Sequence, residues 1–233
     1  MSFRSTIWYI FVSFVNFVPY NKFINIINMM IVRWEEITLS SQRIKEVALQ
    51  LFCDRGYEGA SLADIAELVG IKKSSIYNHY KNKDDLFLHI FEKSCHEELV
   101  HVRKTLSSDN LKSKEDFLNQ FLHFSKNRIT NNISAKFVFR FTMFPPYHFE
   151  DVLGEKITTF ITQLHETIYI AVVESKLFHE LSEEEQFALA SHYTIFLQGT
   201  YVEQLTHAFA GDSKKIIPAW TSFSKMFTEN VSV

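Results

Sequence analysis

The sequence predicts an all-α protein in which a small amino-terminal group of three short helices is joined by one long helix to a larger helical unit. Three observations predict it. Glycine and proline number only six and four in 233 residues, too few for the many turns of sandwiches and barrels. Apolar residues recur at intervals of three and four wherever a period can be read. Ser-x-x-acid pairs that close helix starts recur along the chain. Hydrophobic residues make up 46% and charged residues 22%, a globular rather than a disordered composition. The formal net charge of −3 gives the chain no general attraction for nucleic acid, so any basic surface must be local. Cys53 and Cys95 are the two cysteines, far apart in sequence, which argues against a disulfide framework or a cysteine zinc site and fits a reducing cytoplasm.

The first helix is expected from near Ser40, where Ile44, Val47, Ala48, Leu51 and Phe52 form one apolar stripe, to Gly56, a residue suited to a left-handed cap. Ser61, with Asp64 three residues on, opens a second helix whose inward face is Leu62, Ile65, Ala66 and Val69. Gly70 suits the sharp turn that follows. Ile76 and Tyr80 then mark the inner face of a third helix over 73–80. Asn82 caps a fourth, with Asp84 and Asp85 at its positive end, running from Lys83 to about Leu106. Further helices are expected from Ser113 to Arg128, Ala135 to Phe144, Glu150 to Ser175, Ser182 to about Phe209, and Ser213 to near Glu229.

Residues 1–32 are a hydrophobic extension. The run Ile7–Val18 is almost wholly apolar, and Pro19 interrupts it. It is short of the roughly 20 apolar residues that span a bilayer, and no small-x-small cleavage site follows, as a signal peptide requires. A third reading is translated upstream sequence of an AT-rich genome. Of these 32 residues, 21 are Phe, Ile, Asn, Lys, Tyr or Met, and Met29 or Met30 offers an alternative start. An interfacial anchor and an additional packing helix remain alternatives.

The stretch GYEGASLADIAELVGIKKSSIYNHYKNKDDL, Gly56 to Leu86, fills the pattern GY-x-x-[AT]-[ST]-x-x-x-IA-x-x-[AV]-G-[VI], then [ST]-[IL]-Y-x-[HY]-[FY]-x-x-K-[DE]-x-L. It resembles the amino-terminal helix-turn-helix of TetR-family transcriptional regulators. From Ile71 to Lys83 the chain carries Lys72, Lys73, Lys81 and Lys83, one histidine and no acid, a local basic stripe on a slightly acidic protein. Between the lysines lie Ser74, Ser75, Tyr77, Asn78 and His79, groups that can hydrogen-bond phosphates and base edges.

The resemblance implies a DNA-binding domain over 40–86 and a helical effector-binding and dimerisation domain over 87–233. Carried over position by position, Ser61 and Lys83 would hold phosphates and Tyr77 and His79 the DNA backbone. Lys73, Ser74, Ser75 and Asn78 would approach bases or adjacent phosphates, beside Lys72. Two positions depart from the family: Lys72 stands where a Ser or Thr cap is frequent, and Ser74 where a Gly is. Lys72 cannot accept a capping hydrogen bond.

The larger unit is rich in aromatics and holds only two arginines, Arg128 and Arg140, which favours an apolar or aromatic effector over a strongly charged one. Phe121, Phe137, Phe141, Met143, Phe144, His165, Tyr169, His192 and Phe196 are the candidate ligand contacts. The last two helices would pair with their copies in a homodimer, through a seam of Tyr193, Leu197, Thr200, Tyr201 and Gln204 with Trp220, Phe223 and Phe227. Two reading helices one DNA turn apart would then meet a palindromic double-stranded operator.

His89, His96 and His101 with Cys95 are not at facial-pair spacing, so no metal is expected. Neither nucleotide-cofactor nor nucleophile-elbow motifs are present, so no cofactor and no enzyme activity are expected. The resulting expectation is a cytoplasmic repressor released by a small apolar ligand. The alternatives are a membrane-anchored helical sensor and a helical interaction protein that has lost DNA binding.

Overall fold

A computed structural model describes residues 20–106, 111–126, 128–205 and 216–228. Ten α-helices and one 3-10 turn account for most of them: α1 (Tyr20–Arg55), α2 (Leu62–Val69), α3 (Lys73–Ile76), α4 (Lys83–Leu106), α5 (Lys114–Lys126), α6 (Arg128–Asn131), α7 (Ile133–Met143), the turn Tyr147–Phe149, α8 (Glu150–Ser175), α9 (Glu183–Leu205) and α10 (Ile216–Thr228). No strand occurs among the described residues, and the all-helical class expected from the sequence is the one observed.

The chain divides into two compact units, Met1–Glu46 and Val47–Val233. The described part of the first is helical from Tyr20, about two dozen residues ahead of the expected start near Ser40. The cause is local: neither Gly nor Pro lies between Asn21 and Arg55, so nothing interrupts the helix. Met29, Met30, Ile31 and Val32 are exposed on it. Gln42 donates to Glu46 at 2.9 Å, and Arg43 lies 3.7 Å from the same carboxylate. The apolar run Ile7–Val18 lies outside the described residues, and no described helix is long and apolar enough to cross a membrane.

In the second unit α4 is the central strut. Leu86, Phe87, Ile90, Phe91, Ser94, Cys95, Glu98, Val102 and Leu106 form its buried face, which meets α5, α7 and α8. At its amino-terminal end the Phe87 ring touches five others. It meets Phe52 at 5.3 Å, Tyr57 at 5.2 Å and Phe141 at 4.9 Å edge to face, Phe149 at 5.3 Å in a stack, and Phe137 at 5.2 Å tilted. The end of α1 is also bonded to α7, through Arg140 Nη1 donating to the Cys53 carbonyl.

Farther along α4, Glu98 is fully buried as a side chain. Its Oε2 accepts from Arg128 Nε at 3.1 Å and Nη2 at 2.8 Å, and its Oε1 from the Tyr201 hydroxyl at 3.3 Å. Burial pushes this carboxyl above its usual range, while Arg128 and Tyr201 pull it down. Both cysteines are free and buried. Burial pushes the Cys53 thiol up to about 12 and the Cys95 thiol also far above its usual range, so both stay neutral and unreactive.

The Phe87 contact gives a direct expectation. Phe87→Ala removes the ring shared by α1, α4, α7 and the 147–149 turn and is expected to cost about 3–5 kcal/mol. Equilibrium urea denaturation measures it, and a loss below about 1 kcal/mol would show that the surrounding rings close the gap.

Candidate nucleic-acid interface

The second and third helices are held by local interactions that the sequence spells out. Ser61 caps α2: its Oγ accepts from the Asp64 amide at 3.1 Å and donates to Asp64 Oδ2 at 2.6 Å, and Asp64 Oδ2 accepts from the Ser61 amide at 3.0 Å. These bonds hold the Asp64 carboxyl below its usual range. Leu62, Ile65 and Ala66 are the buried face. Gly70 ends the helix at φ 80°, ψ 30°, a left-handed conformation glycine adopts without penalty, and its amide returns to the carbonyls of Ala66 and Glu67. The chain thereby turns sharply into α3.

The reading segment is shorter than expected. Helix α3 covers Lys73–Ile76, not 73–80, and residues 77–79 continue as tight turns. The amides of Asn78 and His79 bond three residues back, to Ser75 and Ile76, at 3.2 and 2.9 Å. Lys72, the residue before α3, makes no side-chain capping bond. A segment this short without a cap is held by packing instead: Ile76 and Tyr80 are buried, at 0% and 5% exposure.

Around that anchor the sequence-named groups sort by face. Lys72, Lys73, Ser74, Tyr77 and Asn78 are exposed, and Ser75 and His79 are half-buried beside them. Ser61 is also exposed, although its hydroxyl is engaged in the capping box.

Lys83 is placed differently from the phosphate contact the sequence suggested. Its Nζ donates to the carbonyls of Tyr57 at 3.0 Å and Ala60 at 3.2 Å, and it sits 3.9 Å from the centre of the Tyr57 ring. The Tyr57 hydroxyl donates to Asp84. Lys83 is therefore a cross-brace between the α1–α2 loop and the start of α4. Asn82 caps α4 by accepting from the Asp85 amide at 2.8 Å, and Asp85 accepts from the Lys81 amide at 2.8 Å.

The nine candidate ligand contacts do not converge on one site. Phe137 and Phe141 are core, packed on Phe87. Met143 is half-buried and Phe144 exposed. His165 bonds Ser191 Oγ at 2.9 Å and, with Tyr169, lies on the exposed Phe187. His192 and Phe196 lie on Phe223, and Phe196 also on Trp220. The side chain of Phe121 lies outside the described residues. Sequence reading missed a cleft of about 410 Å³ between α4 and α8, lined by Phe91, Glu92, Cys95, Leu99, Lys156 and Phe160 among others. Its walls come from two helices some 60 residues apart, so no local pattern announces it.

Comparison with known proteins follows this geometry. Residues 44–90 match the family described as bacterial regulatory proteins, tetR family. Over 60 residues the chain is 42% identical to the HTH-type transcriptional regulator AcrR of Shigella flexneri, covering 26% of this chain and 28% of that protein. Over 99 residues it is 32% identical to the biofilm operon icaADBC HTH-type negative transcriptional regulator IcaR of Staphylococcus aureus (strain Newman), covering 42% of each. The matched part is thus less than half the length of these curated relatives. Among solved structures, a SmeT–triclosan complex aligns with a TM-score of 0.64 at 15% identity over 84% of this chain and 95% of that one. AibR in complex with isovaleryl coenzyme A and operator DNA aligns at 0.55 and 15% identity over 80% and 97%. The fold is that of these regulators.

Lys83 and Lys73 are expected to separate brace from surface. Lys83→Met should destabilise the protein by about 1.5–3 kcal/mol, since two charge-assisted hydrogen bonds and a cation–π contact go. Lys73→Met should stay within about 0.5 kcal/mol. Urea unfolding of the two variants decides it, and equal stabilities would remove the bracing role.

Proposed function

We propose that this chain, whose residues 44–90 are those of the tetR-family amino-terminal module, is a DNA-binding transcriptional regulator that acts in the cytoplasm as a repressor and is released from its operator by a small ligand with an apolar body. One observation carries the reading. Lys72, Lys73, Ser74, Tyr77 and Asn78 face solvent together on a segment pinned by buried Ile76 and Tyr80, which is how a short element offers base and phosphate contacts to a major groove. The naming of IcaR as a negative regulator, and the ligands in the SmeT and AibR structures, support repression and ligand release. Residues 40–86 then read DNA and 87–233 sense and dimerise, with 1–32 as an extension to them.

A palindrome requires two copies, and the surface of α9 suits that. The seam read from the sequence is wrong in detail: Tyr193, Leu197, Thr200, Tyr201 and Trp220 are buried within one protomer. The outward stripe of α9 is instead Ala188, His192, Ile195 and Gly199, with Pro218 and Ala219 exposed on α10. Ile195 is 66% exposed, and a Cβ on Gly199 would meet nothing within 4 Å. Open space at a helical glycine, which costs about 1 kcal/mol against alanine, suits the close approach of a second helix. Homodimerisation through α9 and α10 follows, with Ile195 and Gly199 at its centre.

Release follows from α4, which begins beside the reading module and ends in the larger unit. A ligand that favours a conformer with the wrong spacing of reading segments need differ in affinity between the two by only a few kcal/mol.

DNA binding is expected to weaken with salt, with a log–log slope of about −0.9 per phosphate contact. Lys73→Ala should make the slope shallower by about one unit and weaken every sequence alike. Asn78→Ala should lose about 1–3 kcal/mol of preference among operator variants while keeping non-specific affinity. Fluorescence anisotropy over a salt series tests both, and binding indifferent to salt would remove the DNA reading. Ile195→Glu is expected to give monomers in light scattering that keep their helix content. An unchanged dimer mass would put the interface elsewhere.

A further inference from the structure

The cleft between α4 and α8 has an apolar floor and a rim of unequal charge. Phe91 and Phe160 are buried at its base, at 0% and 2% exposure, with Cys95 beside them and Leu99 half-buried. The rim is Glu92 and His96 from α4 and Glu155, Lys156, Thr159 and Gln163 from α8. Lys156 Nζ donates to the Glu92 carboxylate, an ion pair that links the two helices. Two carboxylates therefore face one ammonium, which Glu92 already engages.

We propose that this cleft is the effector site and that its ligand is an organic cation with an apolar, ring-bearing body. The inference rests on the reading of this chain as a ligand-released regulator and names the chemistry that reading leaves open. The body lies on Phe91, Leu99 and Phe160, whose ring faces also favour positive charge. The charge sits between Glu155 and Glu92. An anion of the same shape meets two carboxylates and finds its one counter-charge taken. The Cys95 thiol, kept protonated by burial and by Glu98 and Glu92, behaves as apolar lining.

The same geometry explains how occupancy reaches the DNA side. A cation that draws Glu92 away from Lys156 loosens α4 from α8. Helix α4 starts with Lys83, whose ammonium holds the carbonyls of Tyr57 and Ala60 ahead of α2. A displacement of α4 is transmitted to the reading segment through that brace.

Tetraphenylphosphonium and tetraphenylborate test the proposal, because they share size and shape and differ in the sign of charge. Isothermal titration of the full-length protein should show the phosphonium binding about tenfold or more tightly than the borate. Glu155→Gln should weaken the phosphonium about two- to fivefold, and Lys156→Met should strengthen it by a similar factor. Leu99→Trp, which fills the cleft, should abolish binding, and the two rim variants keep the test valid if that substitution perturbs folding. Borate binding as tight as phosphonium overturns the charge assignment. Phosphonium affinity indifferent to Glu155→Gln and Lys156→Met overturns the site. Operator anisotropy with the phosphonium present separates this from the broader reading. Binding with the expected variant dependence but no operator release upholds the site and overturns ligand release. Release by another compound, undisturbed in the rim variants and in Leu99→Trp, overturns the site and leaves the regulator reading intact.

Discussion

The packing of rings around Phe87 is the constraint on which the arrangement of the second unit depends. Helix α2 and helix α3 are too short to hold their own positions, since isolated helices of that length are unstable in water. They are fixed because α1 and α4 are fixed, and those meet at Phe52, Tyr57 and Phe87. The same ring then reaches Phe137, Phe141 and Phe149 from later in the chain. A side chain at the first turns of α4 thus belongs to two cores at once, and the reading segment has a defined position relative to α7 and α8 only through it.

The other end of α4 is held by a different force. Glu98 with Arg128 and Tyr201 is a buried polar cluster, and desolvating such a pair offsets most of its attraction. Its contribution is to geometry more than to stability. Apolar helix faces tolerate small slides and rotations, whereas a carboxylate that accepts two bonds from one guanidinium and a third from a hydroxyl does not. The register of α4 against α6 and α9 is therefore set by hydrogen bonds, while the Phe87 end is set by shape.

Legibility in the sequence followed the range of each interaction. The caps were readable because donor and acceptor lie three residues apart: Ser61 with Asp64, Asn82 with Asp85, Ser113 with Asp116 and Ser182 with Glu185 all form the bonds expected of them. The faces of the reading segment were readable because Ile76 and Tyr80 leave only one side free. The role of Lys83 was not, since its two carbonyl partners lie more than 20 residues back in the α1–α2 loop. Nor was the outward face of α9. That helix buries Tyr193, Leu197 and Tyr201 on one side yet exposes Phe187 and Ile195 on the other, so its apolar pattern has no single direction. The aromatics of α7 were ambiguous for the same reason, because ring chemistry serves a core and a binding site equally well.

The separation of anchor and reading groups on α3 has an evolutionary consequence. Ser74, Tyr77 and Asn78 point into solvent, while Ile76 and Tyr80 carry the packing. Replacing an exposed residue away from caps and core ordinarily shifts stability by no more than about 0.5 kcal/mol. Mutational drift at these three positions is therefore invisible to the selection that keeps proteins above their folding threshold. After gene duplication, a copy can explore new target sequences one substitution at a time without passing through a misfolded intermediate.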